Sequence, residues 1–155
     1  MLIIGKNMVD YNDSAQVELR KNQEDPIVMY LIVREELGMS IGKTAAQCAH
    51  ASQMLQLKFN ELEKEDMCGW ANDADLARKK IFQEWLDGSF RKVVLKADDK
   101  EWHKVQLAFV EGVMRVTVVD AGLTEVNPNT ETVMGIWPMR KSEVPKVLKR
   151  LQVLK

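Results

Sequence analysis

Three polar side chains recur along one stretch of this sequence: Lys43, Gln47 and His50. Their spacings of four and three residues place them on one face of an α-helix. The small residues Ala46 and Ala49 lie beside them, which narrows this surface and brings the backbone close. An ammonium group, an amide and an imidazole on one helical face can orient a substrate and transfer a proton. The pattern therefore predicts one wall of a site.

A second polar group begins at Asp120, at the end of the apolar segment 115–120. Three hydroxyl-bearing residues follow it: Thr124, Thr130 and Thr132. An Asp in this position can simply begin a turn. In α/β proteins, however, ligands bind at the carboxyl ends of strands. If the strands that precede Lys43 and end at Asp120 are parallel neighbours, we expect the two side chains to meet.

The connection between the first strand and this helix nearly forms a phosphate-binding loop. Gly38, Gly42, Lys43 and Thr44 lie where such a loop belongs, because the free N–H groups of a helix N-terminus attract anions. The motif requires four residues between its glycines. Here there are three. A nucleotide hydrolase that resembles the P-loop NTPases is therefore the less favoured alternative.

Alternating strands and helices position these residues. Apolar runs predict strands at 27–33, 90–96, 115–120 and 132–137. Capping residues predict helices that begin at or just after four positions: Ser40, Asp75, Asp98 and Ser142. The first helix is expected to end in the charged stretch 61–66, and the third near Gly112. The alternation predicts an α/β fold with helices on both faces of a mixed sheet.

Length and charge bound the organisation of the chain. Its 155 residues suffice for a single compact domain. Residues 1–26 mix both charges and end at Pro26, so we interpret them as an N-terminal extension and residues 27–155 as the domain. A net charge of −1 gives no global attraction to nucleic acid. The last sixteen residues carry six cations against one acid, which leaves a local attraction to a polyanion open.

The cysteines and histidines indicate neither a disulfide framework nor a metal site. Cys48 and Cys68 lack framework spacing, and neither His50 nor His103 has a second ligand at a recognisable distance. We therefore expect no metal and no other cofactor. No apolar run is long enough for a signal peptide or for the roughly 20 residues of a membrane span. Unpaired cysteines fit a reducing compartment, so we expect a cytoplasmic protein without a membrane partner.

Four segments carry a resemblance to a known family. They read REELGMSIGKTAAQCAHA at 34–51, KVVLK at 92–96, VDAGLT at 119–124 and TETVMGIWP at 130–138. In this order they resemble the type 2 peptidyl-tRNA hydrolases, and the resemblance spans residues 27 to about 153. The first segment is long and specific, which makes chance agreement a poor explanation.

The resemblance implies a mixed four-stranded sheet, a metal-free esterase activity and peptidyl-tRNA as substrate. It also implies a site lined by the residues that match the family's motifs: Lys43, Gln47, His50, Asp120, Thr124, Thr130 and Thr132. Arg34 and Lys92, from the first two segments, join these as substrate-binding candidates. The sequence does not decide between a monomer and a homodimer.

Leu123 departs from the family pattern, which usually has Arg in Asp-Ala-Gly-Arg-Thr. The chain therefore lacks a cation that could pair with a tRNA phosphate or brace the neighbouring Asp. This departure supports the main alternative function, a non-catalytic RNA-binding or protein-interaction module of the same fold. The presence of Lys43 and Asp120 argues against that alternative.

Hydrolysis of such an ester needs an activated water and a stabilised oxyanion. Cys48 and His50 are two residues apart and point to different sides of the helix, so they do not form a nucleophile and its base. Water is therefore the expected nucleophile. We expect Asp120 to position or deprotonate it and Lys43 to stabilise the negative charge or a terminal phosphate, while the threonines orient the substrate. Whether Asp120 or His50 is the base stays open.

Overall fold

A five-stranded mixed sheet forms the centre of the structure, a computed structural model that describes residues 16–17, 19–20 and 23–155. The strands are β1 (Ile27–Arg34), β2 (Arg91–Ala97), β3 (Arg115–Asp120), β4 (Thr130–Arg140) and β5 (Gln152–Val153). Their order is β3-β4-β1-β2-β5. The predicted four-stranded sheet is therefore wrong by one strand. The additional strand, β5, adds only two residue pairs at the edge of β2, Leu95 with Val153 and Lys96 with Gln152.

The strand directions bring two distant strand ends to one edge of the sheet. β1 pairs with β4 in antiparallel fashion, and β3 also pairs antiparallel with β4. β1 and β3 therefore run in the same direction, although β4 lies between them and they are not neighbours. Both strands end at the edge where the chain enters the first helix. Lys43 and Asp120 can thus meet because β1 and β3 run in the same direction, although these two strands do not pair with each other.

Between residues 27 and 155, four α-helices accompany the sheet: α1 (Ile41–Met67), α2 (Asp73–Asp87), α3 (Asp99–Ala108) and α4 (Lys146–Lys149). α1 continues past its expected end through the charged stretch 61–66. Leu62 is buried there and extends the apolar stripe of Leu55 and Phe59. α3 begins with the predicted capping box of Asp98 and Glu101, but it ends at Ala108, before Gly112.

The helices cover both faces of the sheet, as expected. α1 and α2 pack on one face, where the ring of Phe82 contacts the rings of Phe59 and Trp137. α3 and α4 contribute Trp102 and Leu148 to a second core on the opposite face. Alternate residues of β1 supply the two cores, which is the period of two expected for a central strand. Both faces of the sheet are thus buried, and the edge where β1 and β3 end lies beside a packed core.

The predicted N-terminal extension, residues 1–26, lies largely outside the described residues. Residues 16–17, 19–20 and 23–24 are helical, and Asp25 accepts hydrogen bonds from the backbone N–H and hydroxyl of Ser142. The division into an extension and a domain at 27–155 stays a prediction. Among the helices that the structure describes, none combines the length and apolar character needed to cross a membrane.

Candidate active site

Lys43 and Asp120 form an ion pair at the edge where β1 and β3 end. Ser40 caps α1 and thereby starts the helix that carries Lys43, while Asp120 is the last residue of β3. The Lys43 Nζ lies 2.5 Å from Oδ2 of Asp120. The two side chains are 13% and 9% exposed, so both charges are largely removed from water. A pair so buried needs further hydrogen bonds to satisfy its remaining polar atoms.

Gln47 and Thr132 supply these further bonds. The Nε2 of Gln47 donates to Oδ2 of Asp120 over 2.7 Å, and the hydroxyl of Thr132 donates to Oε1 of Gln47 over 2.6 Å. Both side chains are buried. Thr132 lies where the register of β3 against β4 shifts, which places its hydroxyl beside the carbonyl of Val118. A chain of polar contacts therefore joins α1, β3 and β4.

The loop 121–129 closes the other side of this site. Thr124 accepts a hydrogen bond from the Lys43 Nζ over 3.0 Å, and the N–H of Gly122 donates to Oδ1 of Asp120 over 2.7 Å. Gly122 has a φ of +76°, and a Cβ there would lie 2.3 Å from the backbone nitrogen of Pro128. Only glycine fits this turn without displacing Pro128. We call Lys43, Gln47, Asp120, Thr124 and Thr132 the polar cluster.

The surroundings of Asp120 favour its ionised form. The hydrogen bond from Lys43 lowers the pKa of this carboxyl most, and the Gly122 N–H, the charge of Lys43 and the amide of Gln47 act in the same direction, while burial opposes them. Oδ2 accepts two hydrogen bonds and Oδ1 accepts one. One lone pair of Oδ1 is therefore left as an acceptor. A carboxylate with a remaining acceptor position can hold a water molecule.

Glu125 belongs to the same loop and was not among the predicted site residues. Its carboxylate accepts hydrogen bonds from the backbone N–H of Ser40 over 2.7 Å and from the Ser40 hydroxyl over 2.6 Å. These bonds lower its pKa, with the hydroxyl making the largest contribution. The two partners are 85 residues apart, so no local sequence pattern indicates the contact. Because the Glu125 carboxylate binds at the start of α1, the segment 38–44, which only nearly matches a phosphate-binding loop, already holds an anion.

Two of the predicted residues lie beside the polar cluster without joining it. His50 is exposed and makes no hydrogen bond or ion pair within the part of the chain that the structure describes. The hydroxyl of Thr130 donates to the backbone oxygen of Asn127 over 2.6 Å, so it stabilises the end of the loop.

Arg34 and Lys92 do not contact the polar cluster. Arg34 forms an ion pair with Asp99 at 2.8 Å and lies over the ring of Trp102. Lys92 pairs in register with Met29, near the start of β1 and therefore far along the sheet from Asp120. The structure thus brings together five of the nine predicted site residues. Among the described residues, no group of three or more His, Cys, Asp or Glu side chains could hold a metal ion.

Known proteins resemble this chain over nearly the whole span of the sheet and its helices. The profile of the family described as peptidyl-tRNA hydrolase PTH2 matches residues 27–154. A peptidyl-tRNA hydrolase of Methanopyrus kandleri is 38% identical over 127 residues, which cover 81% of this chain and 96% of that protein. One from Pyrobaculum aerophilum is 33% identical over 83% of this chain and 98% of its own length.

A further relative is longer than this chain. A probable peptidyl-tRNA hydrolase 2 of Dictyostelium discoideum is 32% identical over 79% of this chain, and the match covers 52% of that protein. The residues that the family profile matches include α1, β3, the loop 121–129 and β4, which together supply the polar cluster. From the family match and the identity to these relatives, this chain belongs to the PTH2 family of peptidyl-tRNA hydrolases.

Proposed function

We propose that this chain hydrolyses the ester bond between a peptide and the 3′-terminal ribose of tRNA, releasing a free peptide and tRNA for translation. The observation that carries this proposal is the buried contact of Lys43 with Asp120, which two elements of the family-matched segment bring to one edge of the sheet. The contact puts a carboxylate that can hold water next to an ammonium that can stabilise an oxyanion. Peptidyl-tRNA is therefore the proposed partner.

The reaction begins with water held at Oδ1 of Asp120. The water oxygen attacks the ester carbonyl carbon while its proton passes to the carboxylate, and the carbonyl oxygen becomes an oxyanion. Lys43 stabilises this oxyanion. When the tetrahedral intermediate collapses, the bond to the ribose oxygen breaks and that oxygen takes the proton. Atoms and charge balance with one water consumed.

We assign the base to Asp120 in preference to His50 because the carboxylate lies within the polar cluster. The low pKa of Asp120 in the free protein makes it a weak base. Transfer of the Lys43 hydrogen bond from Asp120 to the oxyanion would raise that basicity when it is needed. Gln47 and Thr132 keep the carboxylate in place during this exchange.

The remaining predicted residues receive binding roles. Thr124 and Thr130 orient the ester and the ribose, and Arg34 and Lys92 contact tRNA phosphates. We propose that the reaction needs no metal, since Lys43 supplies the positive charge that a metal would otherwise provide. A cytoplasmic location follows from the substrate of translation. A homodimer stays a proposal that the sedimentation of the purified protein can decide.

The decisive experiment is incubation of the purified chain with N-acetylaminoacyl-tRNA in the presence of EDTA. We expect release of N-acetylamino acid at the same rate with and without the chelator, and no release of phosphate from ATP in a parallel reaction. The matched control is Asp120→Asn purified in the same way, which separates the activity of this chain from a contaminating hydrolase. Loss of activity in EDTA that zinc or magnesium restores would contradict metal independence. Tight tRNA binding without release would support the non-catalytic alternative.

A further inference from the structure

The loop 121–129 is held by hydrogen bonds and not by packing. None of its residues is buried, and Leu123 in its middle is 88% exposed. Its ends are joined by the hydrogen bond from the N–H of Asn129 to the backbone oxygen of Asp120 over 2.8 Å. Its middle reaches α1 through two consecutive side chains, Thr124 on Lys43 and Glu125 on Ser40. With so little apolar contact, these bonds decide where the loop lies.

We propose that Glu125 is a positioning residue that fastens the loop 121–129 to the N-terminus of α1 and so keeps the Thr124 hydroxyl against Lys43. This inference rests on the proposed function and adds a residue to it. The carboxylate accepts two hydrogen bonds from the same residue, Ser40, in a two-point contact that fixes orientation as well as distance. Hydrogen bonds to an ionised group are about twice as strong as neutral ones.

Capping of α1 does not explain this contact. The hydroxyl oxygen of Ser40 already accepts a hydrogen bond from the N–H of Lys43 over 3.2 Å, which is the usual cap of a helix. Glu125 adds further hydrogen bonds to Ser40 from a loop 85 residues away. These hydrogen bonds stabilise the position of the loop more than that of α1, because α1 packs on the sheet through six buried residues of its own.

Direct binding of tRNA does not explain the contact either. A carboxylate at the start of α1 repels phosphates, so Glu125 weakens the attraction of this edge for a polyanion. A positioning role therefore predicts a specific kinetic pattern. Removal of Glu125 lowers kcat, because Thr124 is no longer fixed against Lys43, and leaves KM unchanged or slightly lower.

The first test measures the contact without using activity. Amide hydrogen exchange compares the wild-type chain with Glu125→Ala and with the control Glu36→Ala, an exposed acid on the neighbouring turn that pairs with nothing in residues 23–155. We expect the amides of Ser40 and Gly122 to exchange at least tenfold faster in Glu125→Ala and to stay unchanged in the control. The amide of Leu55, in the core of α1, reports that the fold is intact. Unchanged exchange at Ser40 overturns the proposal.

The second test measures turnover of N-acetylaminoacyl-tRNA. We expect kcat of Glu125→Ala to fall about tenfold, with KM within threefold of the wild type. Because Glu125 acts through Thr124, Glu125→Ala should lower kcat no further in a Thr124→Ala background. Glu125→Gln keeps one acceptor oxygen for Ser40, so its kcat should lie between those of the wild type and Glu125→Ala. Additive losses, or an unchanged kcat, overturn the positioning role.

Failure of the two proposals gives different results. A wild-type chain that releases no amino acid from N-acetylaminoacyl-tRNA contradicts the proposed function, and the exchange rates at Ser40 and Gly122 then still decide whether Glu125 fastens the loop. An active chain with unchanged exchange in Glu125→Ala retains the function and removes Glu125 from it.

Discussion

Two lysines of this chain lie in opposite surroundings. The Nζ of Lys43 lies 2.5 Å from Oδ2 of Asp120 and 3.0 Å from the hydroxyl of Thr124. The Nζ of Lys92 lies 3.6 Å from the centre of the Phe90 ring and 4.7 Å from that of Trp85, and no carboxylate in residues 23–155 pairs with it. Lys43 faces a negative charge, whereas Lys92 faces two aromatic rings.

The difference shows that the partner of a lysine, more than its burial, decides what its charge can do. An ammonium that pairs with a carboxylate can transfer its hydrogen bond to an oxyanion that develops nearby, because it stabilises either negative charge. An ammonium over aromatic faces is held by weaker contacts, each worth about 0.5–1 kcal/mol when exposed. Burial lowers the pKa of Lys92, so its charged form is less stable in the folded chain than in the unfolded chain.

Replacement of Asp120 by Asn should have the largest effect, because it removes the negative partner of Lys43. We expect kcat to fall roughly a hundredfold or more, the size found when a positioned acid-base group is lost. The measurement is turnover of N-acetylaminoacyl-tRNA, with Asp73→Asn on the exposed start of α2 as control. A folded Asp120→Asn chain with wild-type turnover would falsify the role of this carboxylate.

The same substitution should change how stability depends on pH. The folded-state pKa of Asp120 lies below its ordinary value of 3.8, so its stabilising contribution is fully present above about that pH and disappears as the pH falls through the folded-state pKa. Thermal unfolding between pH 6 and pH 2 should therefore show a smaller acid-side loss in Asp120→Asn. An identical acid-side loss in both proteins would mean that Lys43 does not stabilise the carboxylate.

Gln47→Leu should have the next largest effect, because it keeps the ion pair and removes its support. The substitution leaves the buried hydroxyl of Thr132 without its amide partner and takes one donor from Asp120. We expect a loss of about 1–3 kcal/mol in the free energy of unfolding and a fall in kcat of roughly tenfold. Gln53→Leu, at an exposed position of the same helix, is the control and should change neither quantity. An unchanged kcat in Gln47→Leu would show that the ion pair of Lys43 and Asp120 keeps its catalytic orientation without Gln47.

Leu123→Arg places a second cation near the ion pair of Lys43 and Asp120. Because residue 123 is 88% exposed, we expect a contact with a tRNA phosphate of modest strength, seen as a threefold to tenfold fall in KM. The dependence of log affinity on log salt should steepen by about one unit, and kcat should stay constant. Leu123→Gln controls for the loss of the apolar side chain. A higher kcat with the same KM would instead indicate that the new cation acts on Asp120.

Lys92→Met should have the smallest effect. The substitution keeps a long apolar side chain over the rings of Phe90 and Trp85 and removes the charge. We expect an unchanged kcat and an increase in KM of about twofold, from the loss of one phosphate contact. A fall in kcat comparable to that of Gln47→Leu would mean that the two lysines share one site.

Stability offers a second measurement on Lys92→Met. Since the folded-state pKa of Lys92 is lower than its ordinary value of 10.5, the wild-type chain should gain stability as the pH rises between these two values. Lys92→Met should lack that gain. Chemical unfolding at pH 8 and pH 10.5 measures the difference.

Local sequence patterns predicted the parts of this fold that depend on local chemistry. β3 begins and ends at the predicted residues, because alternating apolar residues and a terminal Asp mark it clearly. The capping box of α3 is likewise confirmed. β5 was missed because two exposed residues, Gln152 and Val153, carry no apolar pattern and form a strand only where β2 offers an edge. The end of α1 was missed because one buried residue, Leu62, outweighs the charges around it.

Within the site, the sequence predicted side chains better than it predicted contacts. Lys43 and Gln47 follow from helical spacing, but their partner Asp120 depended on the order of strands, which no local pattern records. The separate positions of Thr130 and Thr132 depend on the register shift between β3 and β4. Glu125 was missed because its two hydrogen bonds exist only once the loop has folded onto α1.

Lys43, Gln47, Asp120 and Thr132 also determine which substitutions should accumulate in such a chain when its activity is no longer under selection. Replacement of the whole buried ion pair and its polar partners by apolar side chains of similar volume is often neutral or stabilising, whereas loss of one charged partner alone is destabilising. A library selected only for protein abundance should therefore lose these four residues together while its strands stay intact. Descendants of this fold that have become inactive should carry the same joint loss, so these four positions provide a signature of pseudoenzymes.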